Sequence, residues 1–159
     1  MIYYYYLTKN NKKLHILLVD EHDENITLGY VYLNRVLDNV WEVKSIASEK
    51  GLGYKMYDAA MDLIYPHYII PNRDTQIKSN ISSIYNFYIN KRKDVESKLL
   101  NKSGVLYVKN EKFDDNWYNR IYKLKKPIGI DFEMDKQDIK YEGIRYFNSK
   151  YDFRKEDAI

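Results

Sequence analysis

The chain has 159 residues, with 26 Lys+Arg against 23 Asp+Glu, a net charge of +3 and no cysteine. That length suits one domain, and a single domain over residues 1–159 is expected. The balanced charge argues against a protein built around nucleic acid, and the lack of cysteine excludes disulfides, thiolate nucleophiles and Cys-ligated zinc. Tyrosine carries much of the apolar content, with 18 Tyr against 5 Phe and 2 Trp. Most of these tyrosines are expected to be half-buried strand residues with a wet hydroxyl. No apolar run approaches the ~20 residues of a membrane span. The apolar start, Met1 to Leu7, lacks a basic leader, so a cytoplasmic location is expected.

Residues 2–7 are aromatic-rich and read as a strand, residues 8–13 as a polar turn, and residues 14–19 as a second strand closing a hairpin. Residues 20–25 are acidic around His22. The residue types would suit a metal loop, but six polar residues between strands read as a solvated hairpin tip, and no metal site is expected. Residues 26–35 form a third predicted strand, with Gly29 as a bulge position. Residues 40–47 alternate as a fourth, with Trp41, Val43, Ser45 and Ala47 on one face and Val40, Glu42, Lys44 and Ile46 on the other.

Gly51 and Gly53 then interrupt the pattern. Leu52, Met56, Ala59, Ala60, Leu63 and Ile64 follow at helical spacing, and Pro66 stops the helix. A strand, a glycine loop and a helix make a place for a phosphate, because free amides at a helix N-terminus point at an anion. Lys50 adds positive charge there. Taken alone, the loop reads first as a plain βα turn, and it carries neither a dinucleotide fingerprint nor a P-loop. A short apolar run at 67–70 precedes Pro71, Asn72, Arg73 and Asp74. A second amphipathic helix follows over 79–90, with Ile81, Ile84, Tyr85, Tyr88 and Ile89 on its stripe. Lys91, Arg92 and Lys93 form a basic cluster that suits a helix C-terminus, a phosphate or a nucleic acid. Residues 104–109 and 117–125 read as further strands. The stretch from Pro127 reads as irregular, and the polar residues from Asp135 as a short helix or hairpin ending in a frayed terminus.

The order strand, glycine loop, helix, strand, helix resembles the acyl-CoA-binding half of the GNAT superfamily of N-acetyltransferases. That family writes its pyrophosphate loop Q/R-x-x-G-x-G/A. Here Ser48, Glu49, Lys50, Gly51, Leu52 and Gly53 stand at those positions, with both glycines matched and Ser48 in place of Gln or Arg. The stretches GLGYKMYDAAMDLI, PNRD and SNISSIYNFYINKRKDV look closest to phage-encoded GNAT-like proteins. The resemblance covers roughly residues 14–100, with a cofactor-binding half at about 40–90 and a C-terminal extension at about 101–159. It implies an α+β fold: a mixed, mostly antiparallel twisted sheet with helices packed on it. The two helices that the family places between its first two strands are missing here, which implies an open site, suited to a macromolecular acceptor or covered by the C-terminal extension.

The resemblance also implies acetyl-CoA as cofactor. Its pantetheine arm would lie on the backbone of Ile46 and Ala47, beside the small side chains of Ser45 and Ala47. Its pyrophosphate would lie on Lys50, Gly51, Leu52, Gly53 and Tyr54, with Asn80 on the next helix in the same set. Lys55 either reaches a phosphate or lies on a solvated helix face. Glu42 either takes a proton from the acceptor amine or pairs with Lys44. Arg73 either contacts acceptor or cofactor, or pairs with Asp74. A tyrosine on the second helix would protonate the leaving thiolate. The family pattern started at Asn80 falls on Ser83 and Phe87, so Tyr85 and Tyr88 are the candidates, and Tyr85 is preferred. The implied activity is transfer of an acetyl group to an amine by direct attack, in a monomer or homodimer within a bacterial or phage-infected cell. The alternatives are a non-catalytic GNAT-like phage protein that binds a host protein or nucleic acid, and a nucleic-acid-modifying enzyme on the same scaffold.

Overall fold

A computed structural model describes residues 2–20, 22, 26–73, 84–88, 91–99 and 117–134. Its strands are β1 (Ile2–Asn10), β2 (Lys13–Asp20), β3 (Thr27–Leu37), β4 (Val40–Ser48), β5 (Tyr68–Ile70), β6 (Val95–Leu99), β7 (Arg120–Leu124) and β8 (Phe132–Met134). One helix, α1 (Gly53–Leu63), links β4 to β5, and residues 84–88 are also helical. The strands form one sheet in the order β6-β7-β5-β4-β3-β2-β1-β8. Among the described residues, only the β4–β5 and β1–β8 pairs are parallel. This is the mixed, mostly antiparallel α+β sheet expected from the sequence.

β1 and β2 make the predicted hairpin, with Asn10 opposite Lys13, so only Asn11 and Lys12 form its turn. No helix lies between these strands. β3 carries a bulge: Gly29 faces Leu18 and Thr27 faces Val19, which leaves Leu28 as the extra residue. Gly29 is required at this point by contact. A Cβ there would meet the Ser48 Cβ at 2.9 Å, the Ala47 oxygen at 3.0 Å and the Met56 sulfur at 3.1 Å. α1 therefore rides directly on the β3–β4 surface where the glycine loop begins.

A second bulge corrects the expected facing of β4. Val43 pairs with Leu33 and Ser45 with Tyr32, so Lys44 is inserted. An inserted residue reverses the alternation that follows it. Ile46, opposite Val31, and Ser48, opposite Gly29, therefore join Trp41 and Val43 on the face covered by α1. Ser45 and Ala47 fall on the other face with Glu42. Periodicity within one strand does not contain this shift, because the bulge is set by pairing with β3.

α1 buries more than its predicted stripe. Met56, Ala59, Ala60 and Ile64 are buried as expected, while Leu52 and Leu63 are only half-buried. Tyr57 and Met61 are buried as well. The reason is a second packing partner. Tyr57 meets Tyr85 and Tyr88 of the 84–88 turns at centroid distances of 5.2 and 6.1 Å, and Tyr85 stacks on Trp117 at 5.4 Å and 7°. The helix is thus gripped by the sheet on one side and by an aromatic cluster on the other. Each such full burial stabilises by roughly 1.5–3 kcal/mol.

Two polar clamps fix the ends. Asp62 accepts hydrogen bonds from the amides of Ile128, Gly129 and Ile130 at 2.7, 3.3 and 2.8 Å, which guides the chain from β7 across α1 towards β8. Arg92 bonds both oxygens of Asp94, at 2.6 and 2.7 Å, and Asp58 of α1 at 3.1 Å. The strands at Val95–Leu99 and Phe132–Met134 were not expected, and residues 117–119 are a 3-10 turn rather than the start of a strand. The expected strand at 104–109 and the expected helix or hairpin after Asp135 lie outside the described residues.

Candidate functional site

β4 and β5 run parallel for three rungs: Val40 opposite Tyr68, Trp41 opposite Ile69 and Glu42 opposite Ile70. There the ladder ends. Continuing the register would set Val43 against Pro71 and Lys44 against Asn72. Pro71 has no amide proton to donate to a next rung. The Asn72 side chain, not its backbone, takes the Lys44 carbonyl, at 2.7 Å. The β4–β5 pairing thus covers Val40 to Glu42, and β4 runs on to Ser48. Ile46 and Ala47, expected to pair with the cofactor arm, lie in this stretch.

The same edge leads directly into the glycine loop. Gly51 has φ +87°, a left-handed conformation that favours glycine, and a Cβ there would meet no atom within 4 Å. Leu52 is the N-cap of α1 and supplies no side-chain hydrogen bond, and the first turn of the helix holds no acidic residue. Leu52 and Lys55 donate to Glu49 and Leu52 at 3.1 and 3.0 Å. A helix start without a side-chain cap and without a carboxylate is suited to an anion. Lys50 and Tyr54 are exposed beside it, and the Lys55 ammonium lies 5.4 Å from the Tyr54 ring. Lys50, Gly51, Leu52, Gly53 and Tyr54 are therefore contiguous at the C-terminal end of β4. Asn80 lies outside the described residues.

Glu42 is the last residue of the three-rung ladder, and it is 1% exposed. Its Oε2 accepts the Arg73 amide at 2.8 Å and lies 3.7 Å from the Lys44 ammonium. The Lys44 pairing considered from sequence is thus present, together with a backbone donor that the sequence does not reveal. Asn34 faces Glu42 across the β3–β4 ladder. Exposed Ser45 and the tilted ring pair of His15 and Tyr32, 4.2 Å apart, continue this face.

Arg73 is 5% exposed. Its guanidinium lies 3.7 Å from the Tyr118 ring centroid, donates to the Tyr118 carbonyl and bonds Asn119 Oδ1 at 3.4 Å. The Tyr118 hydroxyl returns a bond to the Arg73 carbonyl at 3.3 Å. Arg73 thereby ties the end of β5 to the start of β7, next to Glu42. Tyr118 and Asn119 were missed in the sequence. They lie 45 and 46 residues from Arg73, and nothing local marks them.

Tyr85 lies in the aromatic cluster, 1% exposed, with Tyr122 at 4.9 Å. Its hydroxyl meets no hydrogen-bond geometry among the described residues, although the Tyr57 phenol is close enough to perturb it. Burial first, then its tyrosine neighbours, push its pKa well above the ordinary value, so the phenol stays protonated. Tyr88 and Tyr57 are raised for the same leading reason. Within the basic cluster, Lys91 and Lys93 are exposed, while Arg92 is held by Asp94 and Asp58. Among the described residues, no His, Asp and Glu cluster could hold a metal, and no helix is long and apolar enough to cross a membrane.

No protein-family model matches the chain, and no curated protein matches its sequence. Among solved structures, the chain is similar to Tetrahymena GCN5, at 12% identity and a TM-score of 0.45. That match covers 74% of this chain and 71% of the other.

Proposed function

We propose that the protein is an acyl-CoA-dependent N-acyltransferase that moves an acetyl group to an amine acceptor. The observation that carries the reading is the short β4–β5 ladder, three rungs ending at Glu42, on a strand that runs on into an uncapped helix start beside lysines. A ligand that is extended and rich in amides along one part, and anionic at the other, suits both. The arm would lie along β4 beyond the ladder, and the phosphates would take the amides of Gly51 to Tyr54. Acetyl-CoA has that layout and supplies the acyl group as a thioester.

Glu42 is the proposed base. The acceptor amine loses its proton to this carboxylate, directly or through a water, as its nitrogen bonds the acyl carbon. The carbon–sulfur bond breaks and the thiolate takes up a proton. Tyr85 is the proposed donor. Its raised pKa keeps the proton in place until the thiolate forms. Arg73 holds the segment beside Glu42, and its backbone amide orients the carboxylate. Most of the acceleration would come from proximity rather than from a covalent intermediate. The engagement of Arg92 by Asp94 and Asp58 takes the centre out of the basic cluster, which favours an amine on a small molecule or protein over nucleic acid.

The test is calorimetric titration with acetyl-CoA, with desulfo-CoA for comparison, followed by assay of thiol release with amine acceptors. Micromolar binding and acceptor-dependent thiol release are expected. No binding at millimolar acetyl-CoA would overturn the reading.

A further inference from the structure

We propose that the outer edge of β6, Val95–Leu99, pairs antiparallel with the same strand of a second copy of this chain, centred on Ser97. β6 is the end strand of the sheet, and among the described residues β7 alone pairs with it. The register with β7 sets Val95 opposite Leu124 and Glu96 opposite Lys123. One step back, the Lys125 amide donates to the Asp94 carbonyl at 2.9 Å. In an antiparallel ladder, bonded and unbonded pairs alternate, and the two backbone groups of a residue point the same way. Glu96 and Lys98 therefore turn their backbone groups towards β7, while Val95, Ser97 and Leu99 turn theirs outward. The Val95 amide is partly taken by the Arg92 carbonyl at 3.5 Å, so Ser97 and Leu99 lead the groups on offer.

An open strand edge templates pairing, and a lone lysine on it would oppose that. Here the spacing of Glu96 and Lys98 selects one partner and one register. With Ser97 facing its own counterpart, Val95 faces Leu99 and Glu96 faces Lys98, twice over about a two-fold axis. Both charge pairs fall at unbonded positions, where opposite side chains come closest. A shift of two residues either way sets Glu96 against Glu96 or Lys98 against Lys98, so like charges disfavour those registers. A shift of one sets outward backbone groups against inward ones. The carboxylate is already held in place: Glu96 accepts the Tyr68 hydroxyl at 2.9 Å and lies 3.7 Å from the Lys123 ammonium. Lys98 is exposed, its ammonium 5.7 Å from the Tyr68 ring, and among the described residues no carboxylate forms an ion pair with it. The second copy's Glu96 supplies one. Opposite residues of an antiparallel pair share a face, so both α1 helices lie on one side of the joined sheet and both Glu42 side chains on the other. The pairing does not depend on the acyl-CoA reading.

Sedimentation velocity of the full chain across about 10–500 μM tests the pairing, with circular dichroism to check each fold. A five-residue strand contact is small, and a dissociation constant of about 10–100 μM is expected. Lys98→Glu and Glu96→Lys should each weaken self-association at least about tenfold, because each sets like charges together at both pairs. An equimolar mixture of the two variants should associate as the wild type does, since every pair across the edge is then opposite in charge. A carbodiimide should also join Glu96 to Lys98 between light and heavy-isotope copies of the wild type, a readout that needs no variant. A wild type that stays monomeric at about 500 μM would overturn the proposal, as would a dimer that both variants keep. Slow exchange of the Ser97 and Leu99 amides that does not change with concentration would mean that another segment of the same chain takes the edge, and would overturn it too.

Discussion

β4 has two unlike edges. Towards β3 it is paired along its whole length, from Leu37 opposite Val40 to Gly29 opposite Ser48, and it absorbs two irregularities in register on the way. Towards β5 it is paired over three residues and then released. The first edge is scaffold: its register fixes which side chains reach α1, and a one-residue change at Lys44 moves Ile46 from one face to the other. The second edge carries three rungs, at Val40, Trp41 and Glu42, and beyond them the Asn72 side chain takes the Lys44 carbonyl. Rigid support on one side and a ladder that stops short on the other suit a binding edge.

Substitutions at the two edges should separate these roles. The largest effect is expected from Gly53→Ile, whose side chain would stand at the proposed phosphate site. Acetyl-CoA affinity should fall at least ~100-fold, about 2.7 kcal/mol, while circular dichroism still shows the native fold. Normal binding by this variant would show that the loop is not the phosphate site. Glu42→Gln keeps an acceptor for the Arg73 amide but not the base. We expect kcat to fall about 100-fold with little change in cofactor affinity, read by thiol release. Equal turnover would remove Glu42 from the chemistry.

On the scaffold edge, Gly29→Ala forces a methyl group to within 2.9 Å of the Ser48 Cβ and 3.0 Å of the Ala47 oxygen. It should cost roughly 1–3 kcal/mol in denaturant unfolding, and binding should suffer only through the shifted loop. An unchanged midpoint would mean that α1 sits further from β3 than described.

The smallest effect concerns the Arg92 clamp. Its hydrogen bonds to Arg92 hold the Asp94 carboxyl below the ordinary value of 3.8. A folded pKa below the unfolded one gives stability that is full above about pH 4 and is lost as pH falls through the folded value. Asp58 has the opposite sign, because burial, only partly offset by Arg92, raises its carboxyl. Its contribution is full below 3.8 and fades as pH rises through the folded value. Asp94→Asn should therefore lower the melting temperature slightly at pH 7, with the difference from wild type vanishing in acid. A difference that grew in acid would reverse the assigned sign.

The hairpin of β1 and β2, the strand at 40–48 and the helix after the glycines were legible because each is a local pattern: alternation, a turn, an apolar stripe. The Lys44 bulge was not, since it exists only in the pairing with β3. Val95–Leu99 was missed because VESKL holds two apolar residues among three polar ones, and Phe132–Met134 because three residues carry no period. In the site, the loop glycines and Glu42 were visible as residue types. The Tyr118 and Asn119 grip on Arg73 was not, because contacts across 45 residues leave no mark on either segment. Pro71 followed by Asn72 was readable as a turn. The Asn72 side-chain bond to the Lys44 carbonyl, 28 residues away, was not.

The central claim is that β4 beyond its short ladder with β5 and the start of α1 form one ligand site. Hydrogen exchange with and without acetyl-CoA tests it most directly. The account predicts new protection at residues 43–48 and 51–55 together, with the β1–β2 hairpin unchanged. Binding without protection at either segment, or with protection confined to other strands, would contradict it.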